Sequence, residues 1–186
     1  MTRRDIPNLI SWFRIVLIAP VVWAMLQFDF LLALILFAIA GISDGLDGFL
    51  AKHYLWQSRL GSILDPIADK LLLVASFATL SYLGLLPWWL FALVIGRDLL
   101  IVAGAVAYHH YFGEFEFKPL WSSKINTLLQ ILLVLLVMVQ AQWFAGLAEI
   151  KTIGIWLVVA SVINSGSEYV MVWGVSAWRQ WKKPDV

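Results

Sequence analysis

Between Asp44 and Asp69, a stretch of twenty-six residues holds four of the chain's twelve acidic residues: Asp44, Asp47, Asp65 and Asp69. Asp44 and Asp47 are spaced i, i+3, and Asp65 and Asp69 are spaced i, i+4. On helices, each pair shares one face. Carboxylates gathered this closely repel one another and lose solvation, so protons or cations must neutralise them. The chain has no cysteine, so a metal here must take oxygen or imidazole ligands. An all-carboxylate set favours a hard divalent ion, Mg²⁺ or Mn²⁺, and four carboxylates suffice for two. Paired cations of this kind commonly clamp phosphoryl oxygens. Small residues lie among the acids: Gly45, Gly48, Ala51 and Gly61 leave room for a bulky ligand to approach the backbone. In the alternative reading, Asp44 and Asp65 are helix-end residues and the glycines serve packing. That accounts for two of the four carboxylates.

The elements that position these acids are membrane helices. Of 186 residues, 62% are hydrophobic and 13% charged, where a soluble domain carries about 25% charged residues. So apolar a chain must use the bilayer as its main solvent. Windows of about twenty apolar residues fall at 7–27, 30–51, 61–84, 87–109, 122–143 and 150–174. The expected fold is all-α, a polytopic membrane protein of six spans forming one domain over 1–186. Arg14 interrupts the first apolar run, which continues past any cleavage point, so it reads as a retained span rather than a signal peptide. With the N-terminus inside, the cytoplasmic segments hold Arg3, Arg4, Lys52, Arg59, Lys118, Lys124, Arg179, Lys182 and Lys183, and the opposite side holds Lys151. This asymmetry places both termini and the aspartate loop in the cytoplasm. A net charge of +1 gives no support for nucleic-acid binding.

Written as a pattern, the stretch is D-x2-D-G-x2-A-K-x8-G-x3-D-x3-D. It resembles the signature of the CDP-alcohol phosphotransferase family, which has arginine where this chain has Lys52. The likeness extends to "IPNLISWFR" near the start and to the six-helix layout. It implies a two-metal Mg²⁺ or Mn²⁺ enzyme in which Asp44, Asp47 and Asp65 ligate the cations. Asp69 would complete the second metal site and act as general base. Gly48, Ala51, Lys52 and Gly61 would bind the CDP moiety. The reaction implied is attack of an acceptor hydroxyl on the β-phosphate of a CDP-linked lipid, with CMP leaving; the family also implies a homodimer. Lysine at position 52 keeps the charge but loses the planar fork of arginine, which alters the detail of the phosphate contact.

Acceptor choice must lie outside the signature. "GRDLLIVAGA" (96–105) and "FKPLWSSKINTLLQILLVLL" (117–136) resemble the cardiolipin synthase branch. That branch joins CDP-diacylglycerol to phosphatidylglycerol. Arg14, Arg97, Lys124 and Asn126 are the candidate acceptor-binding residues. For the arginines, the competing readings are snorkelling to the interface or pairing with an acid such as Asp5 or Asp98. Asn164, Ser165 and Glu168 suggest hydrogen bonds between helices or a dimer contact more than chemistry. The alternative acceptor is glycerol 3-phosphate, as in a phosphatidylglycerolphosphate synthase. A cation transporter with an acidic intramembrane site is the reading from a different class, and it leaves the glycine spacing unused. The expected location is a bacterial inner membrane, with the site on the cytoplasmic face.

Overall fold

A computed structural model describes residues 6–53, 61–112, 120–143, 146 and 148–181, with side chains for 10–43, 67–108, 110, 120–143, 146 and 149–175. Six helices follow one another: α1 Ile6–Leu26, α2 Phe30–His53, α3 Gly61–Tyr82, α4 Trp88–Phe112, α5 Trp121–Trp143 and α6 Ala148–Trp181. Among the described residues there is no strand, and the all-α expectation holds. The helices coincide with the six apolar windows to within a few residues except at the end of α6. Its 34 residues span about 50 Å, longer than a hydrocarbon core of about 30 Å. By length and composition, Trp88–Tyr108, Trp121–Trp143 and Glu149–Val175 suffice to cross a membrane; Ile10–Leu26 and Phe30–Ser43 are shorter apolar helical segments.

The turns are built from a few hydrogen bonds. After α1, the Phe28 amide donates to the Met25 carbonyl and the Asp29 amide to the Ala24 carbonyl. This is a Schellman closure, which places the intervening residue in the left-handed region. That residue is Phe28, at φ 60°, a position glycine usually fills. Asp29 then caps α2, its Oδ1 accepting from the Leu32 amide at 3.0 Å. The end of α3 repeats the closure with Gly84 at φ 72°, Leu85 donating to Leu80 and Gly84 to Ser81. Pro87 follows and prevents α3 from continuing.

The interior is more polar than a soluble core, and the exterior is more apolar. Ser11, Arg14, Ser76, Arg97, Asn126, Gln130 and Ser165 are buried, while Val16, Trp23, Leu99, Val106, Trp156 and Met171 are more than half exposed. Water would penalise that distribution; lipid favours it. Several hydroxyls bond back to the preceding turn of their own helix, among them Ser76 to the Leu72 carbonyl and Thr79 to the Ala75 carbonyl. Such bonds satisfy hydroxyl donors without water.

The chain divides into two compact units. One comprises residues up to Trp88 together with Val134–Ala148; the other comprises Trp89–Leu133 and Glu149 onward. In the first, α1 packs against both α2 and α3. In the second, α4 and α6 meet where the Trp173 ring lies against the Gly104 backbone. A Cβ at Gly104 would sit 1.9 Å from that ring, so the contact requires glycine. Gly104→Ala is expected to force the helices apart and destabilise this unit by about 1–3 kcal/mol. Reversible unfolding in mixed detergent would measure the change; a parent-like midpoint would show that Trp173 moves aside freely.

Candidate active site

The backbone places Asp44 and Asp47 on the last three turns of α2, and Asp65 and Asp69 on the first turns of α3. Residues 54–60 join the two helix ends. The side chains of Asp44, Asp47 and Asp65 lie outside the described residues, as do Gly48, Ala51, Lys52 and Gly61 of the expected nucleotide pocket. Asp69 is the described acid of the four. Two carboxylate pairs, one near the end of α2 and one near the start of α3, supply oxygen donors alone, which suits Mg²⁺ or Mn²⁺.

Asp69 is paired. Arg14 Nη1 of α1 donates to its Oδ1 at 2.5 Å, with side-chain exposures of 1% for Arg14 and 45% for Asp69. Arg14 therefore pairs with Asp69, the acid expected to complete a metal site and to accept a proton. An apolar groove of about 540 Å³ runs along α1 from Ile15 to Leu26, with Leu71 and Ala75 of α3 also lining it. The rise of α1 from Ile15 to Leu26 makes it about 16 Å long, close to one leaflet of a hydrocarbon core about 30 Å thick.

The second unit holds the other candidates. Arg97 of α4 is buried; its Nη1 donates to Asp98 Oδ1 at 2.8 Å and its Nη2 to Ser123 Oγ at 2.8 Å. Nη2 also reaches Ser165 Oγ of α6. The Tyr169 ring lies 5.9 Å from the guanidinium carbon, within cation–π range. Arg97 thus pairs with Asp98, one of the acids weighed for it, and ties three helices together. Its Nε has no partner among the described residues.

Asn126 is fully buried and accepts from Ser161 Oγ at 2.9 Å. Its Nδ2 and the Gln130 Nε2 are buried donors without partners among the described residues. Lys124 is exposed, and its Nζ lies 4.9 Å from the Trp121 ring centre. A groove of about 360 Å³ is lined by Ser123, Lys124, Thr127, Leu128 and Ile131. Arg97, Lys124 and Asn126 therefore belong to one unit, with Ser123 common to the arginine cluster and the groove. Ser123 and Gln130 were not singled out from sequence. The signal was available: Ser123, Asn126 and Gln130 recur at i, i+3, i+7 in an otherwise apolar helix, a polar seam on one face. Ser165 forms the expected bond between helices.

A model of the CDP-alcohol phosphatidyltransferase family matches residues 4–165. The chain belongs to this family. Among family members, it is 39% identical over 146 residues to a rat cardiolipin synthase (CMP-forming), covering 69% of this chain and 48% of that protein. A rice chloroplastic CDP-diacylglycerol–glycerol-3-phosphate 3-phosphatidyltransferase is 34% identical over 185 residues, 89% of this chain and 56% of that protein. A Blochmanniella floridana enzyme of the latter name is 28% identical over 171 residues, 86% and 80% of the two chains. The chain spans about half the length of the rat relative.

Removing the Arg97 charge would take away the ion pair with Asp98 and cut two links to serine hydroxyls. Arg97→Met is expected to cost about 2–3 kcal/mol, below the 3–5 of a fully buried pair because Asp98 is partly exposed. Ser165→Ala should cost about 1 kcal/mol. Equal stability of the parent and Arg97→Met in detergent unfolding would contradict the role of Arg97 as the hub of its unit.

Proposed function

We propose that the chain transfers the phosphatidyl group of CDP-diacylglycerol to a hydroxyl of phosphatidylglycerol, forming cardiolipin and CMP. The observation that carries this reading is the aspartate pattern, set on the successive ends of α2 and α3 within a chain of this family. Asp44, Asp47, Asp65 and Asp69 would hold two divalent cations. When bound, these supply charge neutralisation to the diphosphate and to departing CMP. Asp69 accepts the proton of the acceptor hydroxyl, whose oxygen bonds to the β-phosphorus as the P–O bond to CMP breaks. The apolar groove on α1 and α3 suits a donor-lipid acyl chain, because its length fits one leaflet.

The acceptor is proposed from two supports. The cardiolipin synthase relatives from rat and human reach 39% and 38% identity, above 34% for the rice enzyme. Arg97, Lys124 and the donor-rich seam of Asn126 and Gln130 provide positive charge and hydrogen-bond donors for an acceptor phosphate. Glycerol 3-phosphate is the second reading, favoured by the rice enzyme's similarity across 89% of this chain. The positive-charge asymmetry supports six spans with the aspartates on the cytoplasmic side.

Purified full-length chain in mixed micelles with CDP-diacylglycerol and Mn²⁺ separates the acceptors. CMP release is expected with phosphatidylglycerol, at least about tenfold faster than with glycerol 3-phosphate. Asp69→Asn should lower the rate about 10²- to 10⁴-fold, the usual worth of a positioned base. Turnover with glycerol 3-phosphate alone would reject the preferred acceptor, and an active Asp69→Asn variant would reject the base.

A further inference from the structure

We infer that Arg14 is a positioning residue for Asp69: a fixed, buried cation that holds one carboxylate oxygen so that the acid addresses the reacting groups in a single orientation. This rests on the proposed two-metal site. Arg14 lies within an apolar helix and is fully buried, and its guanidinium meets Asp69 across 55 residues of sequence. A charge buried in such a helix is costly unless compensated. Among the described residues, Asp69 is the carboxylate that compensates it.

The asymmetry of exposure gives the pair its direction. Arg14 is enclosed, while the Asp69 side chain remains nearly half exposed. One carboxylate oxygen is therefore tied to an immobile fork, and the group as a whole still opens toward its surroundings. Asp69 also lies one helical turn from Asp65, on the same face of α3. An unrestrained aspartate would rotate about χ1 and χ2 among several metal-binding modes. The planar guanidinium, which offers its donors in a rigid arrangement, removes that freedom; lysine, a flexible point charge, would not.

Arg14 also adds positive charge beside the carboxylate cluster. It therefore weakens cation binding while improving the geometry of Asp69, and its removal should move those two properties in opposite directions. A purely structural ion pair would move neither except through loss of folded protein.

The test uses full-length parent, Arg14→Gln and Arg14→Lys in detergent micelles. Free Mn²⁺ is titrated by electron paramagnetic resonance without substrate, and CMP release is measured with the acceptor the parent uses. Arg14→Gln should bind Mn²⁺ at least about tenfold more tightly, as expected for loss of a unit charge about 6 Å from a divalent ion even at the dielectric of water, near 80. Its kcat should fall about 10- to 100-fold, the scale of a small misplacement of a reacting group, with KM for CDP-diacylglycerol within about threefold. Arg14→Lys should keep the parent's Mn²⁺ affinity and still lose about tenfold in kcat, since charge remains and the fork does not. Parent-like kcat in either folded variant overturns the assignment, as does unchanged Mn²⁺ affinity in Arg14→Gln. If Arg14→Gln fails to fold, Arg14→Lys decides alone. If the parent binds no Mn²⁺, the two-metal reading itself fails and takes this assignment with it.

Discussion

A charge inside an apolar helix must be answered by another charge, and both units of this protein are arranged around that requirement. In the first, Arg14 is answered by Asp69. In the second, Arg97 is answered by Asp98, by two serine hydroxyls and by the face of Tyr169. Desolvating a guanidinium costs several kcal/mol, so neither arginine would persist in the interior without its partners. Each partner comes from a definite place on a helix and thereby fixes how the helices approach. The apolar exterior contributes little to such specificity, because lipid tails are as apolar as leucine and do not drive helices together.

This division of labour explains what the sequence made legible. The six helices could be read because a window of about twenty apolar residues is a direct statement about bilayer thickness. The four aspartates stood out because acids are rare in such windows. The partner of Arg14 was not legible. Asp5 was the nearer acid in sequence, and nothing in local spacing relates residue 14 to residue 69. That relation appears only when α1 packs on α3. Arg97 was the opposite case, since its acid is the adjacent residue. The α1–α2 turn also escaped the sequence, because the left-handed position falls on Phe28 rather than on glycine. A turn signal based on residue type finds Gly84 and passes over Phe28, although the hydrogen bonds at the two positions are the same.

The candidate site shows a related split between what chemistry fixes and what packing fixes. Reaction class follows from donor type and spacing: acids at i, i+3 and i, i+4 on successive helix ends, with small residues among them. The groups proposed to meet the acceptor come from α4, α5 and α6, which join through tertiary contacts such as Arg97 with Ser123 and Ser165, and Asn126 with Ser161. The family contains enzymes named for two different acceptors, and this chain is similar to both. The polar seam of α5, with its buried amide donors, is therefore where acceptor specificity is to be sought.

The central claim is that the four aspartates form one two-metal site. Anomalous diffraction from crystals of the full chain grown with Mn²⁺ and CDP tests it most directly. The account predicts two manganese peaks about 3.5–4 Å apart, bound by Asp44 and Asp47 of α2 and by Asp65 and Asp69 of α3, with the CDP diphosphate on them. Manganese bound elsewhere, or to one helix end alone, would contradict it.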